Sequence, residues 1–221
     1  MNAQEPDFIH TTRASYDAMA SDYAAHLPDA LATRPLDRAL VTAFGDLVRA
    51  NGPAPVADLG CGHGHVTARL HDLGVPVFGV DVSPRMVALA RRTHPELRFH
   101  VGTMTALDLP PETLGGIAAL YSITHVPEEH LTTVFAEFHR VLTPGGHALV
   151  AFETGDDDEV RVTERFGHEM ALDHYFHAPD TIMAHLMKAG LSVHARTFLE
   201  PDADGTRQRA FLLARKQGDG D

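Results

Sequence analysis

Three glycines at every second position, straight after a short apolar run that carries an acid, constrain this chain's fold more than any other stretch. They stand in Val56-Ala57-Asp58-Leu59-Gly60-Cys61-Gly62-His63-Gly64-His65. The apolar run reads as a buried strand and the glycines as a tight turn. Val66, Leu70 and Leu73 then form the apolar side of a helix that starts at once. Glycine accepts positive φ and lets a ligand approach main-chain N–H groups with no Cβ in the way. The free N–H groups of the new helix point back at the turn. A dinucleotide phosphate cradle is one use of such a turn. Its third glycine would fall at position 65, which is His65, and Asp58 sets a carboxylate where an incoming anion is repelled. A cationic ligand is favoured instead.

Val77-Phe78-Gly79-Val80 is a second apolar strand, and it ends in Asp81, an acid 21 residues after Gly60. In doubly wound sheets a carboxylate at the end of strand two accepts hydrogen bonds from ribose hydroxyls. The expected ligand therefore contains ribose.

With D-L-G-C-G-H-G at 58–64 and V-D-V-S at 80–83, the chain resembles the class I S-adenosylmethionine-dependent methyltransferases of the small-molecule type. Later segments extend the resemblance from Tyr16 to Lys216. It implies a Rossmann-like α/β fold, a seven-stranded, mostly parallel sheet of order 3-2-1-4-5-7-6 with helices on both faces and an N-terminal helical lid. It also implies S-adenosyl-L-methionine as cofactor and methyl transfer to a small molecule by direct displacement. The cofactor contacts it implies are Tyr16, Asp58, Gly60, Cys61, Gly62, Asp81, Val82, Met86, Thr103, Met104, Tyr121 and Ser122. Two rivals stand beside this reading. One is an S-adenosylmethionine-binding protein with a non-methylating role; the other, disfavoured by His65 and Asp58, is an NAD-dependent oxidoreductase.

Elsewhere the periodicity supplies the remaining elements. Tyr16, Met19, Ala20, Tyr23 and Leu27 recur at helical spacing and predict an amphipathic helix over 13–27. In the resemblance its Y-D-x-x-A-x-x-Y pattern, Tyr16 to Tyr23, covers the cofactor cleft, with Tyr23 equally well a core anchor. Leu36, Leu40, Phe44, Leu47 and Val48 predict a second helix, ended by Asn51-Gly52-Pro53. Ser83 is an N-cap with Pro84 at the first helical position, and Met86, Leu89 and Ala90 form that helix's buried stripe. Leu97 to Val101 is strand three, followed by Gly102-Thr103-Met104 where the family commonly has an acid facing adenine; Thr103 departs from that pattern. Gly115 to Tyr121 is strand four, with a small pair at its start.

Tyr121-Ser122-Ile123-Thr124-His125 follows strand four at the sheet's carboxyl end, where open α/β sheets bind ligands. His125 is the candidate general base, because an imidazole with a pKa near 6.5 takes a proton at neutral pH without tuning. The competing role is a cap on the helix over 127–141. His147 to Phe152 is strand five after the Thr143-Pro144-Gly145-Gly146 turn. From Glu153 the regular patterning lapses. Asp156 to Glu159 lack the alternate spacing of a calcium loop and read as a solvated loop. Arg161 to His177, rich in histidines and aromatics, reads as the substrate cover. A helix over 180–189 closed by Gly190 precedes two strands, Leu191 to Leu199 and Arg209 to Ala214, joined by a polar turn at Asp202 to Gly205. Residues 217–221 read as a tail.

At 221 residues the length suits a single methyltransferase domain over 1–221, with 1–50 as helical lid and 154–178 as substrate cover. The balance of 18 basic against 30 acidic side chains, net −12, is the wrong sign for neutralising phosphates. Nucleic acid and anionic membrane are excluded as partners, and a small-molecule substrate is expected, with the chain a monomer or homodimer. Cys61 is the single cysteine, which rules out an internal disulfide and fits a reducing compartment. Met1 to Asp7, polar and without a basic start, do not read as a signal peptide, and no apolar run reaches bilayer length. The expected location is cytoplasmic. The histidines have no cysteine or carboxylate companions at ligand spacing, so no metal is expected.

Overall fold

The computed structural model describes residues 5–26, 30–201 and 207–218. The Leu27 end of the first predicted helix, the polar turn at 202–205 and residues 219–221 lie outside the described residues. The elements run α1 (Asp7–His26), α2 (Ala30–Thr33), α3 (Pro35–Asn51), β1 (Val56–Leu59), α4 (His65–Asp72), β2 (Val77–Asp81), α5 (Pro84–Thr93), β3 (Arg98–Val101) and β4 (Leu114–Leu120). A single 3-10 turn (Ile123–His125) leads to α6 (Glu128–Val141), β5 (Leu142–Glu153), β6 (Asp158–Arg165), β7 (His168–Phe176), α7 (Pro179–Lys188), β8 (Leu191–Leu199) and β9 (Arg209–Lys216). Among the described residues no helix is long and apolar enough to cross a membrane.

Seven strands form one sheet in the order β3-β2-β1-β4-β5-β9-β8. The first five strands of that order pair in parallel, and β9 joins antiparallel to both β5 and β8. This is the expected 3-2-1-4-5-7-6 once β6 and β7, which form a separate two-stranded sheet, are left out of the numbering. Strand periodicity divides the core. Leu59, Ile117, Ala119, Val150 and Phe152 face α6 and α7, where Phe135, Phe138 and Leu186 meet them. Val56, Ala118, Leu149 and Ala151 face α3 and α4, against Val41, Phe44 and Leu70. Burying each such phenylalanine contributes about 1.5–3 kcal/mol. The small pair at the start of β4 is what lets α3 lie close to the sheet: a Cβ on Gly116 would stand 2.7 Å from Val48 and 2.9 Å from the Phe44 ring.

Several elements differ from the sequence reading, among them β5, which starts at Leu142 and takes in the expected turn at 143–146. In α3 the buried face is Asp37, Val41, Phe44, Gly45 and Val48, whereas Leu36 and Leu47 are 60% and 39% exposed. The helix is turned because Asp37, an acid, faces inward and holds the Arg209 guanidinium at 3.1 Å and the Tyr121 hydroxyl at 2.7 Å. The stretch after Glu153 is regular: β6 and β7 form an antiparallel hairpin, and Asp158 begins a strand rather than lying in a loop. Its inward residues include Leu172, His174 and Phe176, so histidine interrupts the apolar alternation that would have marked a strand. α1 also starts six residues earlier than predicted, at Asp7.

Candidate functional site

The glycine turn takes the left-handed backbone its sequence calls for, with φ of +73° at Gly60, +54° at Gly62 and +91° at Gly64. Gly60 could carry no side chain in any case, since a Cβ there would stand 2.3 Å from the Ser122 Cβ. The N–H groups of Gly60 and Cys61 donate to the Val80 carbonyl at 2.8 and 3.1 Å. The Gly62 N–H donates to Asp81 Oδ2 at 2.8 Å, and the Ser83 N–H donates to Asp81 Oδ1 at 2.9 Å. One carboxylate thus joins the turn after β1 to the start of α5. Burial pushes its pKa up, opposed by those two N–H donors. Ser83 caps α5 as predicted, its Oγ accepting from Met86 N at 3.0 Å.

α1 lies over this junction. The Ser83 hydroxyl and the Arg85 N–H donate to Asp17 Oδ1 at 2.6 and 3.0 Å, and Arg13 Nε donates to the Val82 carbonyl at 3.1 Å. Asp17 and Arg13 were not singled out in the sequence, although Asp17 follows Tyr16 in the helix motif. An acid midway along a helix carried no signal of a partner almost seventy residues away.

Beneath α1 is a cleft lined by Leu59, Gly60, Val80, Val82, Gly102, Thr103, Met104, Ser122 and His125, with Phe8, Ile9 and Thr12 as its roof. It sits beyond the carboxyl ends of β1, β2 and β4, the position predicted for a nucleotide. Its volume is about 40 Å³, whereas pockets for ligands of drug size run to roughly 300–1,000 Å³. α1 is therefore closed down on it. The residues fit an adenosyl group. Ser122 Oγ is buried without a hydrogen-bond partner among the described residues, Gly62 has open space where a Cβ would be, and the Asp81 oxygens keep a second lone pair each.

The structure brings Gly60, Gly62, Asp81, Val82, Thr103, Met104, Ser122 and His125 together at or beside this cleft, and it moves four expected contacts away. Asp58 shares the strand face of Val56, under α4, where its Oδ2 accepts the Thr67 hydroxyl at 2.6 Å. Burial pushes that carboxyl up to about 7, which weakens the anion-repelling charge the sequence suggested. Cys61 packs with Val87, Ala90 and Phe99, and burial raises its thiol pKa. Met86 is wholly enclosed in the inner face of α5. Tyr121, at φ +55°, turns its ring to the α3 side, bonding Asp37 and meeting Phe211 edge-on. Strand alternation decides Asp58 and Tyr121, each one position from a cleft residue and facing the other layer, and helix phase decides Met86.

His125 lines the cleft but is neither a free base nor a cap. Its Nδ1 lies 2.9 Å from the Asp173 carbonyl of β7 and its Nε2 lies 2.8 Å from the Tyr16 hydroxyl of α1. A carbonyl only accepts, so Nδ1 carries the proton and Nε2 accepts from the phenol. Burial, with His174 alongside, pulls the imidazole down to about 3. The expectation of an untuned base fails for this reason. Capping fails too, since the N-cap of α6 is Pro127 and no side chain caps it. Instead Tyr16, His125 and β7 form a bridge that ties the roof helix to the hairpin. The Tyr16 pKa is raised well above the ordinary phenol range, chiefly by burial. Among the described residues no three His, Cys, Asp or Glu side chains converge as a metal site.

Residues 56–146, from β1 through β4 to the start of β5, match the family described as "Methyltransferase domain". The demethylmenaquinone methyltransferase of Chlorobaculum parvum is 32% identical over 43% of this chain and 39% of its own length. The demethylmenaquinone methyltransferase of Beutenbergia cavernae is 30% identical over 64% of this chain and 58% of its own. The chain thus spans less than two thirds of either relative. Among solved structures, that of the Burkholderia thailandensis 1,6-didemethyltoxoflavin-N1-methyltransferase superimposes with a TM-score of 0.73, covering 98% of this chain and 93% of that one at 20% identity.

Proposed function

We propose that this chain, which belongs to the class I S-adenosylmethionine-dependent methyltransferases, moves a methyl group from that cofactor to a small-molecule acceptor. The observation that carries the reading is the 2.8 Å bond from Gly62 N–H to Asp81, which holds a carboxylate at the end of β2 against the glycine turn. When bound, the cofactor supplies a methyl group already activated on a sulfonium. The protein's part is to bind, align and exclude water. Asp81 accepts the ribose hydroxyls, Val82, Thr103 and Met104 line the adenine side, and Ser122 donates toward the amino-acid end. Alignment of this kind lowers a barrier by roughly 7–11 kcal/mol. With both ring nitrogens engaged, His125 positions Tyr16 rather than taking a proton from the acceptor. Residues 1–50 act as lid and 154–178 as substrate cover of one methyltransferase domain. The single buried cysteine supports a cytoplasmic setting, and the domain works there as a monomer or homodimer.

Calorimetry with S-adenosylhomocysteine, S-adenosylmethionine and NAD tests the cofactor, and S-adenosylhomocysteine release from a library of candidate acceptors tests the transfer. Binding of both adenosyl compounds and turnover with at least one acceptor is the expected outcome. NAD binding without adenosyl-sulfur binding overturns the reading.

A further inference from the structure

Arg165 ends β6 beside the ring pair of the bridge described above. Its guanidinium lies 5.9 Å from the centre of the Tyr23 ring and 5.3 Å from that of Phe166. Among the described residues it makes no hydrogen bond and no ion pair. Acids near it have other partners. Asp22 bonds His168 at 2.8 Å, both Asp173 oxygens hold Arg161 at 2.6 and 2.7 Å, and Glu164 accepts the Gly167 N–H at 2.7 Å. A chain with net charge −12 has thus left one cation against these rings without an acid.

That charge acts on Tyr16, Tyr23, His125 and His174 alike. His174 adds the second observation, since its Nε2 is buried with no hydrogen-bond partner among the described residues. Its ring meets His125 edge-on at 4.5 Å and lies 6.1 Å from Phe176. On the other side Tyr16 meets Tyr23 at 5.6 Å. These rings give flat apolar walls, while the guanidinium and the imidazole give two polar groups without protein partners. A planar ligand with one anionic group satisfies both.

We infer that the acceptor is a planar molecule carrying an anionic oxygen, seated between α1 and the β6–β7 hairpin with that oxygen held by Arg165 and His174. This rests on the methyltransferase reading and narrows its substrate. The alternative is that Arg165 only stacks on the rings and faces solvent.

The test uses the chain saturated with S-adenosylhomocysteine, and as probes 4-hydroxybenzoate, cinnamate and 2-naphthoate against their matching amides, by calorimetry and ligand-observed NMR. At least one acid is expected to bind roughly tenfold tighter than its amide, the scale of a charge-assisted pair. Arg165→Met should remove that preference, Arg165→Lys should keep part of it, and His174→Phe should weaken it. Acids that bind no better than their amides, or not at all, overturn the inference, as does a preference that survives in Arg165→Met. A wild-type chain that fails to bind S-adenosylhomocysteine sinks the methyltransferase reading instead, and the first titration of the series separates the two.

Discussion

Acid is expected to weaken this fold through one buried ring. His125 is 6% exposed and its imidazole is pulled from the ordinary 6.5 to about 3, first by burial and then by His174. A base whose folded-state value lies below its unfolded one contributes stability that is complete above pH 6.5. It is lost as the pH falls from 6.5 toward 3, because the unfolded ring binds a proton that the folded ring refuses. At about 1.4 kcal/mol per pH unit, the loss by pH 5 is about 2 kcal/mol. Asp58 and Asp81 work in the opposite direction, since their folded-state values are raised and protonation favours the native state as the pH falls. The comparison is therefore between wild type and His125→Gln, in which those two contributions cancel and glutamine still offers a donor and an acceptor. Urea unfolding at pH 7.5 and pH 5 should find the wild type's advantage over the variant smaller by about 2 kcal/mol at the lower pH. An advantage independent of pH, or a His125 ring proton that titrates in NMR near 6.5, would refute a neutral, doubly bonded imidazole.

Asp81→Ala removes the acceptor of the Gly62 and Ser83 N–H groups and should cost roughly 2–5 kcal/mol in S-adenosylhomocysteine binding; an unchanged dissociation constant refutes the ribose role. α1 and the β6–β7 hairpin should exchange amide hydrogens faster in the empty protein than with S-adenosylhomocysteine bound, because the roof residues Phe8, Ile9 and Thr12 must withdraw from a cleft of about 40 Å³ to admit it. Equal protection in both states means that they are fixed core. Asp37→Asn takes a buried carboxylate from Arg209 and Tyr121, with an expected loss of about 3 kcal/mol in urea unfolding and no change in cofactor affinity. A stability change under 1 kcal/mol, against roughly 3–5 for breaking such a pair, would show the ion pair to be dispensable.

Local chemistry made the cofactor half of this protein legible. Gly60, Gly62 and Gly64 need positive φ, Ser83-Pro84 is a helix start in any context, and Asp81 must stand at the end of β2, so these positions carry their meaning wherever the strands are set. The sheet order came only with the family resemblance that these motifs carry, and the structure bears it out in β3-β2-β1-β4-β5-β9-β8. Which way a side chain points was another matter. Asp58, Cys61 and Tyr121 are each one position from a residue that lines the cleft and Met86 is four from Val82, yet strand pleat and helix phase send them into other layers. Asp37 reads as a surface acid until Arg209, 172 residues away, gives it a partner inside. His125 was found by its place after β4, but its chemistry was misjudged. The basicity of an imidazole depends on what surrounds it, and the Asp173 carbonyl, Tyr16 and His174 come from α1 and from a hairpin that the sequence did not disclose. Residue types and spacing determined the backbone turns and the ligand class. Burial and partners across the chain, which only tertiary structure brings together, decided the orientation of Asp58 and His125 and shifted their proton affinities.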